Sequence, residues 1–531
     1  MLIPAMPGPP LPAPPAPERR EVVAVRVHPN DDVAVLVLPG PAGALLDVDG
    51  ARVTLREAVA AGHKVALRDL ATGAPVRKYG TPIGAATAPI AAGAWVHAHN
   101  LATRLDGETT YRRATPAPGP PPAAPRHRAA PPTFDGYRRA GGRVGTRNEV
   151  WIVNTVGCVN AAAERIAVAA RERLARGGAP AVDGVHAFAH PYGCSQLGDD
   201  LRHTQRVLAG LLRHPNAGGV LVVGLGCENN QLGQLLLLAG DVDRARLRWF
   251  NTQEVEDEVE HGVALVAELA ASMAADRREA RPASDLVLGH KCGGSDGFSG
   301  LTANPLLGHL ADRVTALGGG VLLTEVPEMF GAEQSLLDRT ADAATFDALA
   351  AMVNDFKAYF RRHGQPVYEN PSPGNKDGGL TTLEEKSLGA VQKGGRAPVR
   401  AVLRYGEPWP PAAAGGLALL EAPGNDGVSS TALVASGATV LLFTTGRGTP
   451  LGFPVPTIKV SSNSAIAARK PHWIDFDAGR LLAPAGAAPT PDALADELLD
   501  HVLDVASGRA RTNNERHGCR EIAIWKAGVT L

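Results

Sequence analysis

Apolar and polar positions follow two rhythms along the chain. Between residues 21 and 104 the apolar runs are short and β-branched (Val22–Val27, Val33–Leu38, Val65–Leu67), and Pro, Gly and Asp break them. That rhythm predicts a small all-β unit. From Tyr137 onward, apolar runs at Val150–Asn154, Val185–Ala189, Val220–Gly224, Leu286–Gly289 and Val321–Thr324 alternate with other stretches. Those stretches, Ala161–Ala175, Leu201–Arg213, Glu254–Ala275 and Asn304–Leu317, have helical character. Alternating strands and helices predict βαβ units and largely parallel sheets. The rhythm resumes with strands predicted at Leu417–Glu421, Thr439–Phe443 and Thr457–Val460, and helices near Ser429–Ser436 and Pro491–Ala506.

Composition places the boundaries. Residues 1–20 read as a disordered, Pro-rich tail. Residues 105–133 carry TPAPGPPPAAPRHRAAPP, a Pro/Ala linker with no means of building a core. A further change falls near Gly395. The expected plan is a multidomain α/β protein: an all-β domain over 21–104, an α/β catalytic domain over 134–395 and a C-terminal α/β domain over 396–531.

Charge narrows the partners. The 531 residues hold 53 Lys and Arg against 54 Asp and Glu, a net charge of −1, which gives no footprint for nucleic acid or a membrane surface. No apolar run is long enough to span a bilayer, and the first residues lack the pattern of a signal peptide, so a cytoplasmic protein is expected. Five cysteines, an odd number in a long chain, argue against a disulfide framework. A homo-oligomer is compatible with all of this.

The loops after the predicted strands carry the candidate chemistry. They read Thr155-Val-Gly-Cys158-Val-Asn160, His190-Pro-Tyr-Gly-Cys194-Ser-Gln196, Gly224-Leu-Gly-Cys227-Glu-Asn-Asn-Gln231, His290-Lys-Cys292-Gly-Gly-Ser-Asp296 and Glu325-Val-Pro-Glu328. Four of the five cysteines lie within a few residues of a predicted strand end, where open α/β sheets bind ligands. A single cysteine there is more often a small buried hydrophobe. The set reads as functional because Asn, Gln, Ser, Asp and Lys accompany the thiols. An iron–sulfur cluster is the less favoured reading, since spacings of 36, 33 and 65 residues match no known cluster motif.

Three histidines mark the small β unit. His97 and His99 share a face if they lie in a strand, and His63 is near in sequence, a set able to bind a divalent metal or to sit unused at a surface. Asn370–Gly379, with Asn375 and Lys376, and the glycine-rich loop around Arg447 suit a carboxylate or phosphate. Neither fits a phosphate loop, and no dinucleotide fingerprint follows a strand.

These strings resemble the altronate/galactarate dehydratase family. The matching segments are GHKVAL and WVHAHN in the first unit; GYRRAGGRVGTRNEVWIVNTVGCVN, HPYGCSQLGDD, GLGCENNQ, HKCGGSDGFSGLTANPLLG, TEVPEMFGAE and NPSPGNKDGGLTTLEEKSLG in the second; and FTTGRGTPLG and PVPTIKVSSNS in the third. The resemblance implies a β-clip (SAF-like) N-terminal domain joined to an α/β body. It also implies a divalent metal, with iron(II) expected and manganese(II) the alternative, and a 2-keto-3-deoxy acid product. The stretch from Pro454 to Gly479 looks more like the altronate branch. The expected reaction is therefore D-altronate to 2-dehydro-3-deoxy-D-gluconate and water. A galactarate dehydratase, a sulfolactate sulfo-lyase-like enzyme and a non-catalytic sugar-acid binder are the alternatives.

That chemistry assigns expected roles. Removing a proton alpha to a carboxylate needs a Lewis acid, a base and an acid for the departing 3-hydroxyl. Lys291, Lys376, Cys194 and Asp296 are the expected catalytic residues, with Lys291 or Lys376 serving as base or as carboxylate anchor. Gln196, Asn229, Asn230, Ser295, Asn375 and Arg447 are expected to hold the sugar acid. His63, His97, His99, Cys227 and Glu228 are the expected metal ligands.

Overall fold

The structure is a computed structural model, and it describes residues 23–113, 131–177, 182–240, 242–484 and 486–528. The expected tail and most of the Pro/Ala linker lie outside the described residues. The N-terminal unit is all β. Its main antiparallel sheet runs Ala24–Val25, Val33–Leu36, Lys64–Ala66, Trp95–Val96, beside a second sheet of Pro75–Lys78, Thr81–Ala86 and Leu101–Ala102. Alternate residues of these strands fill two cores: Ala34, Leu36 and Val65 on one side, Val33, Ala66 and Val96 on the other.

The body holds two parallel sheets. The first has the order Gly184–Phe188, Glu149–Asn154, Ala217–Gly224, Leu247–Asn251. Its central strand shows why both faces are apolar. Val150 and Ile152 pack with Ile166 and Leu269 of helices Asn160–Gly177 and Glu258–Ser272. Trp151 and Val153 pack with Val207 and Leu211 of helix Gly198–Leu212 on the opposite face. That second core continues into Leu433 of helix Asp426–Ala435 and Leu441, so the two sheets share a helical layer.

The second sheet has seven strands. Their order is Val399–Leu403, Leu417–Leu420, Gly320–Leu323, Val287–Cys292, Val440–Thr445, Thr457–Ser461, Phe476–Asp477. The expected division at residue 395 therefore cuts through one sheet, because strands from both sides of it pair directly: Val321 with Leu417 and Leu288 with Val440. Two further elements were not read from the sequence. Leu247–Asn251 is a short mixed strand, and Ala343–Arg362 is a 20-residue helix buried against the core through Phe346, Leu349, Val353 and Phe356. No helix of the described residues is long and apolar enough to cross a membrane.

Candidate active site

Buried charge collects at the carboxyl end of the seven-stranded sheet. The strand Val287–Cys292 starts apolar and ends His-Lys-Cys, and its last five residues are buried. It is longer than the sequence pattern suggests, so Lys291 and Cys292 belong to the strand and not to the loop beyond it. In the neighbouring connection, Glu325 adopts a left-handed backbone with φ 73°. A non-glycine residue pays about 1–3 kcal/mol for such a conformation, and such residues cluster at functional sites. Glu328 follows in the short turn Val326–Met329, whose three-residue period brings the two glutamates to one side. Lys386 lies in helix Leu383–Ala390 and Lys393 in the turn that continues it, seven residues on and so on the same face.

These side chains meet. Cys292 Sγ donates to Glu328 Oε2 at 2.8 Å. Lys393 Nζ lies 2.8 Å from Cys292 Sγ and 3.2 Å from Glu325 Oε2. Lys291 Nζ bridges Glu325 Oε1 at 3.0 Å and Asp426 Oδ1 at 2.5 Å. Lys386 Nζ reaches Glu328 Oε1 at 2.7 Å and Asn370 Oδ1 at 2.9 Å. Ligand atoms of Cys292, Glu325 and Glu328 all fall within 4.8 Å of one another, the one such group of three metal-type donors among the described residues. A cleft lined by Glu328, Asn370, Asn375, Lys386 and Asp426 opens onto this centre.

The electrostatics separate the acids from the bases. Burial raises Glu325, and the charge of Glu328 raises it further. Burial also acts on Glu328, but Lys386 and Lys393 overcome it and draw its pKa down to about 2. Burial works against the ammonium of Lys291, yet Glu325 and Asp426 outweigh it and hold its pKa above the usual lysine range. Lys291 is thus a cation paired with two carboxylates. Burial pushes the Cys292 thiol up.

The β domain docks beside this centre through buried ions. Glu385, one residue before Lys386, accepts from Lys64 Nζ at 2.9 Å and Lys78 Nζ at 2.8 Å. His63, His97 and His99 do gather, around Trp95. Their ring nitrogens do not all lie within 4.8 Å of one another, and two of the rings are engaged in other hydrogen bonds. Trp95 Nε1–H donates to His63 Nδ1 at 3.1 Å, and His63 Nε2 contacts the Asp377 carbonyl at 3.3 Å. His97 Nε2 contacts the Lys376 carbonyl at 3.0 Å, and His99 is exposed. Burial lowers the pKa of both His63 and His97, so each serves as a neutral hydrogen-bonding ring. The histidines clamp the 370–379 loop, and that loop carries Asn375 to Lys386 at 3.3 Å.

The other expected residues divide between two places. Asn375 Nδ2 donates to the Ser295 carbonyl at 2.9 Å, close to the centre. Asp296 is buried and accepts from Ser462 Oγ at 2.7 Å and Asn463 Nδ2 at 2.9 Å, so it ties loops together. Arg447 is exposed, and its backbone N–H donates to the Gly294 carbonyl at 3.0 Å. Lys376 offers His97 its carbonyl. Cys194, Gln196, Cys227, Glu228, Asn229 and Asn230 lie at the carboxyl edge of the four-stranded sheet. No hydrogen bond or ion pair among the described residues links them to Cys292. Gln196 and Glu228 are spent on their own loops: Gly193 N–H donates to Gln196 Oε1 at 2.8 Å, and Gly226 N–H to Glu228 Oε2 at 2.7 Å. Sequence reasoning missed Glu325, Glu328, Lys386, Lys393 and Asp426 as site residues. The two glutamates had a legible signal, a pair three residues apart directly after a strand.

Three family models match the chain in succession. The altronate/galactarate dehydratase SAF domain matches residues 22–104. The second domain of D-galactarate dehydratase/altronate hydrolase matches 136–274, and the C-terminal domain of D-galactarate/altronate dehydratase matches 283–530. The chain is 51% identical to "Altronate dehydratase" of Escherichia coli (strain K12) over 96% of its length and 99% of that protein. It is 46% identical to "Altronate dehydratase" of Bacillus subtilis (strain 168), with the same coverage. It is 34% identical to "Galactarate dehydratase (L-threo-forming)" of Escherichia coli (strain K12), over 94% of this chain and 96% of that one. Identity of this extent, along nearly the whole of each chain, means that this chain belongs to the altronate/galactarate dehydratase family.

Proposed function

We propose that this protein is a sugar-acid dehydratase that converts D-altronate to 2-dehydro-3-deoxy-D-gluconate and water. One observation carries the reading: buried Cys292, Glu325 and Glu328 are flanked by three lysines, and Cys292 and Glu328 line a cleft together with the amides of Asn370 and Asn375. The preference for altronate rests on the higher identity to the two altronate dehydratases than to the galactarate enzyme.

The donor set fits a divalent metal in kind and in charge. One thiol and two carboxylates are ligands that iron(II) accepts. With Cys292 ionised, four anionic groups including Asp426 face the ammonium groups of Lys291, Lys386 and Lys393. A dication then leaves one net positive charge, which the substrate carboxylate neutralises. A metal held by Cys292, Glu325 and Glu328 would supply Lewis-acid polarisation of that carboxylate.

The remaining steps fall to the chain's own residues. Asn370 and Asn375 offer hydrogen bonds to the polyol. The Asp426 carboxylate lines the cleft and accepts the C2 proton, while Lys291 holds it in place. Negative charge then grows at C1 and C2 beside the ammonium groups. Lys386 Nζ donates a proton to the departing 3-hydroxyl, which leaves as water. The resulting enol becomes the 2-keto acid. Turnover of altronate, galactarate and sulfolactate by iron-loaded enzyme tests the reading, together with the iron content of Cys292→Ser and Glu328→Gln. Altronate turnover that depends on both residues supports it. Full turnover and full iron content in both variants would overturn it.

A further inference from the structure

A second set of cysteines stands apart from the buried centre. Cys158, Cys194 and Cys227 are all free and exposed. Each is the second residue of a Gly-Cys pair, and each follows one of three adjacent parallel strands, Glu149–Asn154, Gly184–Phe188 and Ala217–Gly224. The three loops are lashed together pairwise. Gly157 N–H donates to the Tyr192 carbonyl at 2.8 Å, and Asn160 Nδ2 to the His190 carbonyl at 2.9 Å. Asn230 N–H donates to the Gly193 carbonyl at 2.9 Å, and Ser195 N–H to Asn229 Oδ1 at 2.6 Å. Asn230 Nδ2 closes the ring on the Thr155 carbonyl at 2.9 Å, and Thr155 Oγ1 donates to Glu228.

Glycine makes the packing possible. A Cβ on Gly193, which has φ +102°, would stand 2.1 Å from the Thr155 carbonyl oxygen, and one on Gly157 would stand 2.7 Å from that of His190. Many polar groups of the three loops thus hold the loops to one another, and all three thiols are exposed on this platform. Gln253 Nε2 already points a hydrogen bond at Cys227 Sγ, at 3.7 Å. Two fully buried amide oxygens at the same edge, Asn154 Oδ1 and Asn230 Oδ1, have no hydrogen-bond partner. The first turn of helix Asn160–Gly177 begins two residues after Cys158, so its positive end lies near that thiol and suits an anionic ligand.

We propose that Cys158, Cys194 and Cys227 are the three protein ligands of an iron–sulfur cluster with one iron left open to a ligand from solution. The three thiols release their protons on ligation. A single ion needs its sulfurs about 3.8 Å apart, from a metal–sulfur distance of about 2.3 Å in tetrahedral geometry. These three sulfurs do not all come within 4.8 Å of one another, and a multi-iron cluster is the wider unit. The site is independent of the metal proposed at Cys292.

The test is anaerobic reconstitution of the full-length protein with a mixture of ferric and ferrous iron and sulfide. Iron, acid-labile sulfide and visible charge-transfer absorption are then measured. Wild type is expected to take up both iron and labile sulfide, and the triple Cys158→Ser, Cys194→Ser, Cys227→Ser variant to lose the sulfide entirely. Cys292→Ser is expected to keep the labile sulfide, whatever becomes of the metal at the buried centre, which separates the two sites. Alkylating the exposed thiols of wild type before reconstitution is expected to block uptake, so the test does not depend on the variant folding. No labile sulfide in wild type, uptake of zinc or iron alone, or full sulfide in the triple variant or the alkylated protein would each overturn the proposal.

Discussion

Lys64 of the β domain places its Nζ 2.9 Å from Glu385 Oε2 of the body, and both side chains are fully buried. Glu385 also takes Lys78 at 2.8 Å and the Thr381 hydroxyl at 2.7 Å. One carboxylate thus joins two lysines of the β domain to the body, and its sequence neighbour, Lys386, reaches into the cleft. Removing one member of a buried ion set leaves a buried charge uncompensated and costs about 3–5 kcal/mol. Glu385→Ala should therefore lower stability by about that amount in chemical denaturation. It should also release the β domain to limited proteolysis before the body is cut.

Glu328→Gln removes the negative partner of Lys386 while keeping the shape. Losing a residue that both positions and polarises typically costs roughly 10²–10³ in kcat. We expect a loss of that size in kcat, with a smaller change in KM. Steady-state kinetics on altronate would show it, and an unchanged kcat would remove Glu328 from the centre.

His97→Ala should leave bound metal at the wild-type level. Its expected cost is one hydrogen bond to the Lys376 carbonyl and its stack on Trp95, in the range of about 1–2 kcal/mol. Elemental analysis alongside a thermal melt checks both parts. A loss of metal would return the histidines to the ligand shell.

Acid should weaken the joint between the two sheets through His214. The ring is fully buried, its Nε2 contacts the Ala438 carbonyl at 3.0 Å, and its Nδ1 accepts from Asn216 N–H at 3.1 Å. Burial brings its pKa down to about 3, against a model-peptide value of 6.5. Between those values the unfolded chain binds a proton that the folded chain refuses. Stability therefore falls as pH drops from 6.5 towards 3, by on the order of 4 kcal/mol for this group. His214→Phe keeps the stack on Trp151 and removes the titration, so the pH slope of its unfolding free energy should be shallower than wild type over that window.

A fragment ending at residue 395 should not fold cooperatively. It would leave Gly320–Leu323 and Val287–Cys292 without their partners Leu417–Leu420 and Val440–Thr445, exposing two parallel strand edges. Circular dichroism and a denaturant titration of the fragment would show a broad, non-cooperative transition. A sharp one would restore a domain boundary there.

Much of this architecture was legible along the chain. Alternating strand and helix runs announced the parallel sheets, and short β-branched runs announced the β domain, because side-chain period is a local property of each element. A helix was expected near Pro491–Ala506, and it forms there with proline at its first position and Thr490 as cap. The segments carrying Lys291, Ser295 and Asn375 were also recognised from their content. Leu247–Asn251 was missed because Leu-Arg-Trp-Phe-Asn shows neither clean alternation nor an apolar run.

By itself, then, the sequence determined the element types, the α/β class, the family and the strand-end loops in which chemistry would sit. Only the tertiary structure decided which loops share a site. Strand order separated Cys292 from Cys158, Cys194 and Cys227. It also joined residues 287–323 to 399–477 in one sheet and set Glu325 and Glu328 against Lys386 and Lys393. The physical reason is that periodicity records which face of an element is buried, whereas convergence of side chains depends on pairing between strands distant in sequence. That pairing is fixed by the packing of the whole sheet and leaves no local mark on the residues it brings together.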